Sequence, residues 1–137
     1  MLNPVRALVV GSSAMALMLG TALAQPRIPP KYPADIKYVT RLPTYCYHQY
    51  VDGALGGYKF SIPSESCGYS MNHFCGALIF MMQAQDFSLP KNERVDAAQH
   101  AVTEVNYTLR DMKPGCFITK DVMLAKQRAA MLVRIVK

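Results

Sequence analysis

The sequence predicts an all-α fold: a helical hairpin followed by a third antiparallel helix, with a proline-rich arm in front. Three observations carry this. Val95, Ala98, Val102, Val105, Leu109 and Met112 recur at steps of three and four, the period of a helix with one packed face. Ile118, Val122, Ala125, Ala129, Leu132 and Val136 repeat the pattern. Between Ser70 and Gln85 the chain is apolar around most of a helical circumference, as expected of a central, buried helix.

Taken in order, the chain carries a single charged side chain, Arg6, before an uncharged stretch from Ala7 to Ala24 that ends Ala22-Leu23-Ala24. This reads as a secretory signal peptide over residues 1–24, cleaved before Gln25. A retained membrane anchor over residues 7–24 is the competing reading, because the run approaches the ~20 residues that span a bilayer. Gly11, Ser12, Ser13, Gly20 and Thr21 weaken it as an anchor. Residues 25–43 follow as an extended arm, since five prolines in nineteen residues oppose helix and regular sheet.

Residues 44–137 form the expected helical domain. Thr44 to Val51 is aromatic and short, open between strand and helix, and Gly53 to Ser66 reads as a loop. Ser70 stands where an N-cap would open the central helix. A long amphipathic helix runs from Lys91 to Met112 and ends at Lys113-Pro114-Gly115, a sequence that halts a helix ladder and favours a turn. A third helix starts near Thr119. Short connections make consecutive helices antiparallel neighbours.

Four cysteines in an exported chain of 137 residues read as two disulfides. Helix lengths suggest the connectivity. At 1.5 Å per residue the Lys91–Met112 helix is ~33 Å long and the Ser70–Gln85 helix ~24 Å. The ~9 Å overshoot is about the reach of the three residues from Cys67 to Ser70. This brings Cys116 to Cys67 and leaves Cys46 for Cys75. The competing reading is a zinc site built from these thiols with His48 and His73. No C-x-x-C spacing supports it.

Tyr45-Cys46 followed by Met71-Asn72-His73-Phe74-Cys75-Gly76-Ala77-Leu78 is similar to exported bacterial tetratricopeptide-like proteins that carry a Tyr-Cys pair and a Met-x-His-aromatic-Cys-x-x-Leu motif. Ala101, Val105, Thr108-Leu109 and Pro114 resemble the second helix of such a repeat and its closing proline. The likeness spans residues 42–137. It implies a tetratricopeptide-like hairpin and a protein-binding or assembly role, and it brings no catalytic residue. The chain departs from the pattern in having one hairpin and one further helix where repeat arrays need about three units.

No constellation of residues indicates catalysis. Ser61, Ser64 and Ser66 lack a nucleophile-elbow setting, and a cysteine nucleophile would need one of four paired thiols to be free. The Asn106-Tyr107-Thr108 sequon falls inside a helix, where modification is not expected. Met71, Met81 and Met82 suit Cu(I), but at helical spacing they read as core. His73 is expected to hydrogen-bond a carbonyl or loop group, and His100 to be exposed. With Arg6 removed, Lys plus Arg falls from 15 to 14 against nine acids, a net +5. The bases are scattered along the sequence and read as solvated surface, and export makes nucleic acid an unexpected target.

The chain is therefore expected to be a non-enzymatic, cofactor-free protein of the periplasm or cell exterior, an interaction module or accessory subunit of a periplasmic or membrane-associated complex. Its expected partner is another envelope protein, with membrane contact if the N-terminal segment is retained. The contact surfaces are expected on the arm and the open face of the third helix, with Tyr32, Tyr38, Tyr45, Tyr47 and Tyr50 as aromatic anchors. A periplasmic zinc- or copper-binding protein using His48 and His73 is the alternative.

Overall fold

In the computed structural model the described residues are 34–50 and 62–137. The leader, the start of the arm with Tyr32, residues 51–61 and the side chain of His48 lie outside them. The described residues form six α-helices and no strand: α1 Ile36–Val39, α2 Tyr47–Tyr50, α3 Ser64–Cys67, α4 Met71–Ala84, α5 Lys91–Asp111 and α6 Thr119–Ile135. A 3-10 turn, Thr44–Cys46, precedes α2. The three long helices α4, α5 and α6 pack as consecutive layers of one stack. His73 lies against Glu104 and Tyr107, and Phe80 against His100, so α4 and α5 are antiparallel.

The end of the arm differs from an extended strap. The prolines fall outside Ala34–Leu42, so this stretch is free to coil, and Asp35 caps a single turn by accepting the Lys37 N–H at 2.9 Å. Likewise Ser64–Cys67 is a helical turn rather than loop, because Pro63 precedes it with a φ of −70° and needs no N–H partner. Ser70 holds the cap position of α4, but its hydroxyl makes no capping bond. Its backbone N–H instead donates to Asp111 Oδ2 at 2.8 Å.

No residue of α4 is exposed; each is buried or half-buried. One side, with Met71, Phe74, Ala77, Met81 and Ala84, meets α5 and α6. The other, with Cys75 and Ile79, is covered by Tyr38, Val39, Leu42 and Cys46 of the N-terminal segment. Burying a side chain the size of Phe74 or Ile118 contributes about 1.5–3 kcal/mol. All six residues of the α6 seam are buried. In α5 the deepest residues are Ala97, Ala98, Ala101, Val105 and Thr108, while Val95, Val102, Leu109 and Met112 are only half-buried. The seam is displaced because α5 lies between α4 and α6, and small side chains occupy the two lines of closest approach. Thr108 is tolerated there because its hydroxyl donates to the Glu104 carbonyl at 3.0 Å.

Two disulfides tie this stack, with the connectivity that the helix lengths suggest. Cys46 pairs with Cys75 and Cys67 with Cys116. Each bridge stabilises by ~2–4 kcal/mol. Around the second, the Lys113 N–H donates to the Cys67 carbonyl and Lys113 Nζ to the Glu65 carbonyl, both at 3.0 Å. Tyr38 donates to Asp86 Oδ2 at 2.6 Å, and Lys37 Nζ reaches the same oxygen at 2.8 Å. These bonds pin α1 to the turn after α4. Lys37 and its neighbours hold the Asp86 carboxyl well below the usual carboxylate range.

Gly68 sits where α3 passes the end of α5. Its φ is +108°, and a Cβ there would overlap the Asp111 carbonyl oxygen. Gly115 has a φ of +82° with open space around it. We expect Gly68→Ala to cost about 2–5 kcal/mol, combining backbone strain with a backbone clash, and Gly115→Ala only about 1–2 kcal/mol. Urea unfolding midpoints of the two variants check this order.

Candidate interaction surface

The α4–α5–α6 stack leaves a shallow groove between α4 and α6. At one end it is a cleft of about 300 Å³ walled by Tyr45, Phe74, Leu78 and Met81 on one side and Leu124 and Arg128 on the other. At the other end it is a cleft of about 430 Å³ between Ala84 and Phe87 and the last turn of α6, with Lys91, Arg94 and Lys137 at its rim. The α4 wall is apolar because Phe74, Leu78 and Met81 fall on one side of that helix. The rim is polar because α6 alternates its buried seam with Asp121, Arg128 and Lys137.

Tyr45 is the side chain that joins the N-terminal segment to this groove. Its ring stacks on Phe74 at 6.4 Å between centroids and meets Phe117 edge-on at 5.9 Å. Its hydroxyl donates to Asp121 Oδ2 at 3.4 Å. Burial, then the neighbouring Asp121 carboxylate, push the phenol up to about 12. The Cys46–Cys75 bridge follows directly in sequence and fixes where Tyr45 stands.

The other tyrosines are distributed differently. Tyr38, expected as an anchor for a partner, is 4% exposed and bonded to Asp86; it serves the fold. An aromatic ring in a proline-poor turn over an apolar helix has more to gain from that helix than from solvent. Tyr47 is half-buried against the Tyr38 and Leu42 cluster. Tyr50 lines a separate cleft of about 330 Å³ on the α5 side of α4, with Asn72, His73, Gly76, Phe80 and Glu104.

In that cleft His73 departs from its expected carbonyl or loop partner. Its Nδ1 donates to Glu104 Oε2 at 2.5 Å, and its ring stacks on Tyr107 at 5.1 Å. An ionised carboxylate only accepts, so the Nδ1 atom carries the proton. Gly76 lies beneath the carboxylate, where a Cβ would make ordinary contact with Glu104 Oε2 at 3.5 Å. The partner lies 31 residues away, and no local motif marks it. His100 is exposed and stacks on Phe80.

Among the described residues no group of three or more His, Cys, Asp and Glu side chains is placed to hold a metal ion, and all four cysteines are in disulfides. No helix among them is long and apolar enough to cross a membrane. No family model, curated protein or solved structure matches this chain.

The raised Tyr45 value gives a pH signature. A phenol whose folded value lies above its ordinary one contributes stability that is complete below about pH 10 and is lost as the pH rises through about 12. In an absorbance titration of the folded chain, Tyr45→Phe should remove part of the signal that titrates near pH 12, leaving the earlier tyrosine signal in place.

Proposed function

We propose that this chain is an exported, non-catalytic interaction module of tetratricopeptide-like design, an accessory subunit whose α4–α6 groove receives a helical segment of another envelope protein. The observation that carries the reading is the groove itself: an apolar wall of Phe74, Leu78 and Met81 facing α6, beyond which no further helix packs among the described residues. The two disulfides favour an oxidising compartment outside the cytoplasm. They also suit a small module that must stay folded while presenting apolar surface.

The occupant follows from the shape. The groove runs along α6, whose 17 residues extend ~25 Å, the length of an amphipathic helix of four to five turns. Apolar side chains at helical spacing would fill the two clefts. The bases Lys91, Arg94 and Lys137 at one end favour acidic residues at the matching end of that segment. The metal-binding alternative has no observation in its favour among the described residues, where His73 is engaged with Glu104.

A photo-crosslinking residue placed at Leu78, in the groove, tests this in the native envelope. Position Thr103, exposed on α5, serves as the comparison. The reading predicts one discrete adduct from Leu78, reduced about tenfold or more by Tyr45→Ala, which removes an aromatic wall. Equal adducts from both positions, or none from the groove in a folded protein, would contradict it.

A further inference from the structure

The cleft on the α5 side of α4 has a chemistry that the α4–α6 groove does not share. It holds about 330 Å³, and Tyr50, Ile79 and Phe80 make its walls mostly apolar. Among the described residues that line it, Glu104 is the one carboxylate, and there is no Lys or Arg. The clefts on the α6 side carry Arg128 at one end and Lys91, Arg94 and Lys137 at the other, and a further cleft beside Asp86 carries Lys37 and Arg41. In a chain of net charge +6, the Glu104 cleft is the exception. Its carboxylate is only partly served by the fold. The Glu104 side chain is 22% exposed, and His73 Nδ1 donates to its Oε2. No described donor reaches Oε1, and no Lys or Arg pairs with the carboxylate. A carboxylate mostly withdrawn from water with no cationic residue beside it carries a desolvation cost that a bound cation relieves. The Tyr50 hydroxyl and Glu104 Oε2 lie 3.9 and 3.5 Å from the place that a Gly76 Cβ would take. Phenol and carboxylate therefore meet over the one residue of α4 that has no side chain.

We infer that this cleft binds a small organic ammonium ion, its charge against Glu104 and its alkyl groups against the Tyr50 and Phe80 rings. A cation beside aromatic rings and a carboxylate gains from the ring quadrupoles and from Coulomb attraction, the more so where water is partly excluded. An alkylated ammonium also suits mostly apolar walls, whereas a metal ion needs several oxygen, nitrogen or sulfur donors gathered at one point, and no such group occurs among the described residues. Size selects a small molecule over a protein segment. A cleft of 330 Å³ lies at the lower end of small-ligand sites, while the long groove lies on the α6 side of α4. The imidazole of His73 holds Oε2 and is itself backed by the Tyr107 ring, so Oε1 is the oxygen left for the ligand. His73 and Tyr107 are positioning residues; Glu104, Tyr50 and Phe80 make the contact.

Isothermal titration calorimetry of the full, oxidised chain with choline is the test. The uncharged probe of the same shape is neohexyl alcohol, in which carbon replaces the quaternary nitrogen. Choline should bind about tenfold more tightly than the alcohol. Glu104→Gln keeps an acceptor for His73 and should bring the two probes to equal affinity. Phe80→Leu, which keeps apolar volume and removes the ring, should weaken choline about threefold or more and leave the alcohol little changed. Glu93→Gln removes the same charge from the exposed start of α5 and should leave both unchanged. Equal affinity of the wild type for the two probes would overturn the inference, since the cleft would then be an apolar depression only. Absence of choline binding would overturn it too, as would an equal loss in Glu93→Gln, which would trace the binding to overall charge. The wild-type comparison needs no variant to fold, and near-ultraviolet circular dichroism checks each variant that is used. Groove crosslinking from Leu78 is read separately, so failure here leaves the groove reading standing, and failure there leaves this one.

Discussion

The structure depends on one constraint: α4 is apolar over most of its circumference and has no exposed residue. A helix this apolar must be covered on most of its sides, and among the described residues only two other long helices exist to do so. The helices α5 and α6 cover one side. The remaining side is closed by the segment from Tyr38 to Cys46, a turn and a 3-10 turn too short to hold a conformation alone. The Cys46–Cys75 bridge and the Tyr38–Asp86 bond hold it against α4. The second bridge, Cys67–Cys116, joins the entry to α4 to the exit of α5, where backbone bonds and Gly68 bring the two strands of chain into contact.

From this arrangement the surfaces follow. Because Tyr45 stands at one edge of the N-terminal segment's cover over α4, that edge becomes a wall of the groove. Because α6 buries a single narrow seam of alanine, valine and leucine, most of its circumference is free. One part of that circumference borders the groove and another points away from the stack. Of the large exposed apolar side chains, Met123, Leu124, Met131 and Ile135 lie on this last helix, while Ile36, Tyr69, Phe87 and Tyr107 lie elsewhere.

Much of the fold was legible in the sequence because α6 packs on one side only. A one-sided helix writes its seam directly as a three-four repeat, and all six residues read from that repeat are buried. The α5 helix packs on two sides, so its seam blurs: Ala98 and Val105 were readable in the periodicity, Ala101 and Thr108 entered only through the repeat-like pattern, and Ala97 was hidden by the larger Val102 and Leu109. The disulfide connectivity was legible from the unequal lengths of α4 and α5. The turn at Ile36–Val39 was not, because proline content was averaged over an arm whose prolines lie at its two ends. Nor was the Glu104 partner of His73, since it needs the three-dimensional register of helices that the linear order of charges conceals. Among the tyrosines, position decided the role: Tyr38 falls over Cys75 and Ile79 and is buried, whereas Tyr45, one residue before a bridge, is held at an edge.

Hydrogen exchange on the Cys46→Ser/Cys75→Ser variant, set against the oxidised wild type, tests most directly whether the N-terminal segment is a clamp that completes the cover of α4. The account predicts lost protection across residues 35–50 and on the Cys75 and Ile79 face of α4, with α5 and α6 still protected through the Cys67–Cys116 bridge. Protection lost evenly along all three long helices, or retained throughout residues 35–50, would contradict it.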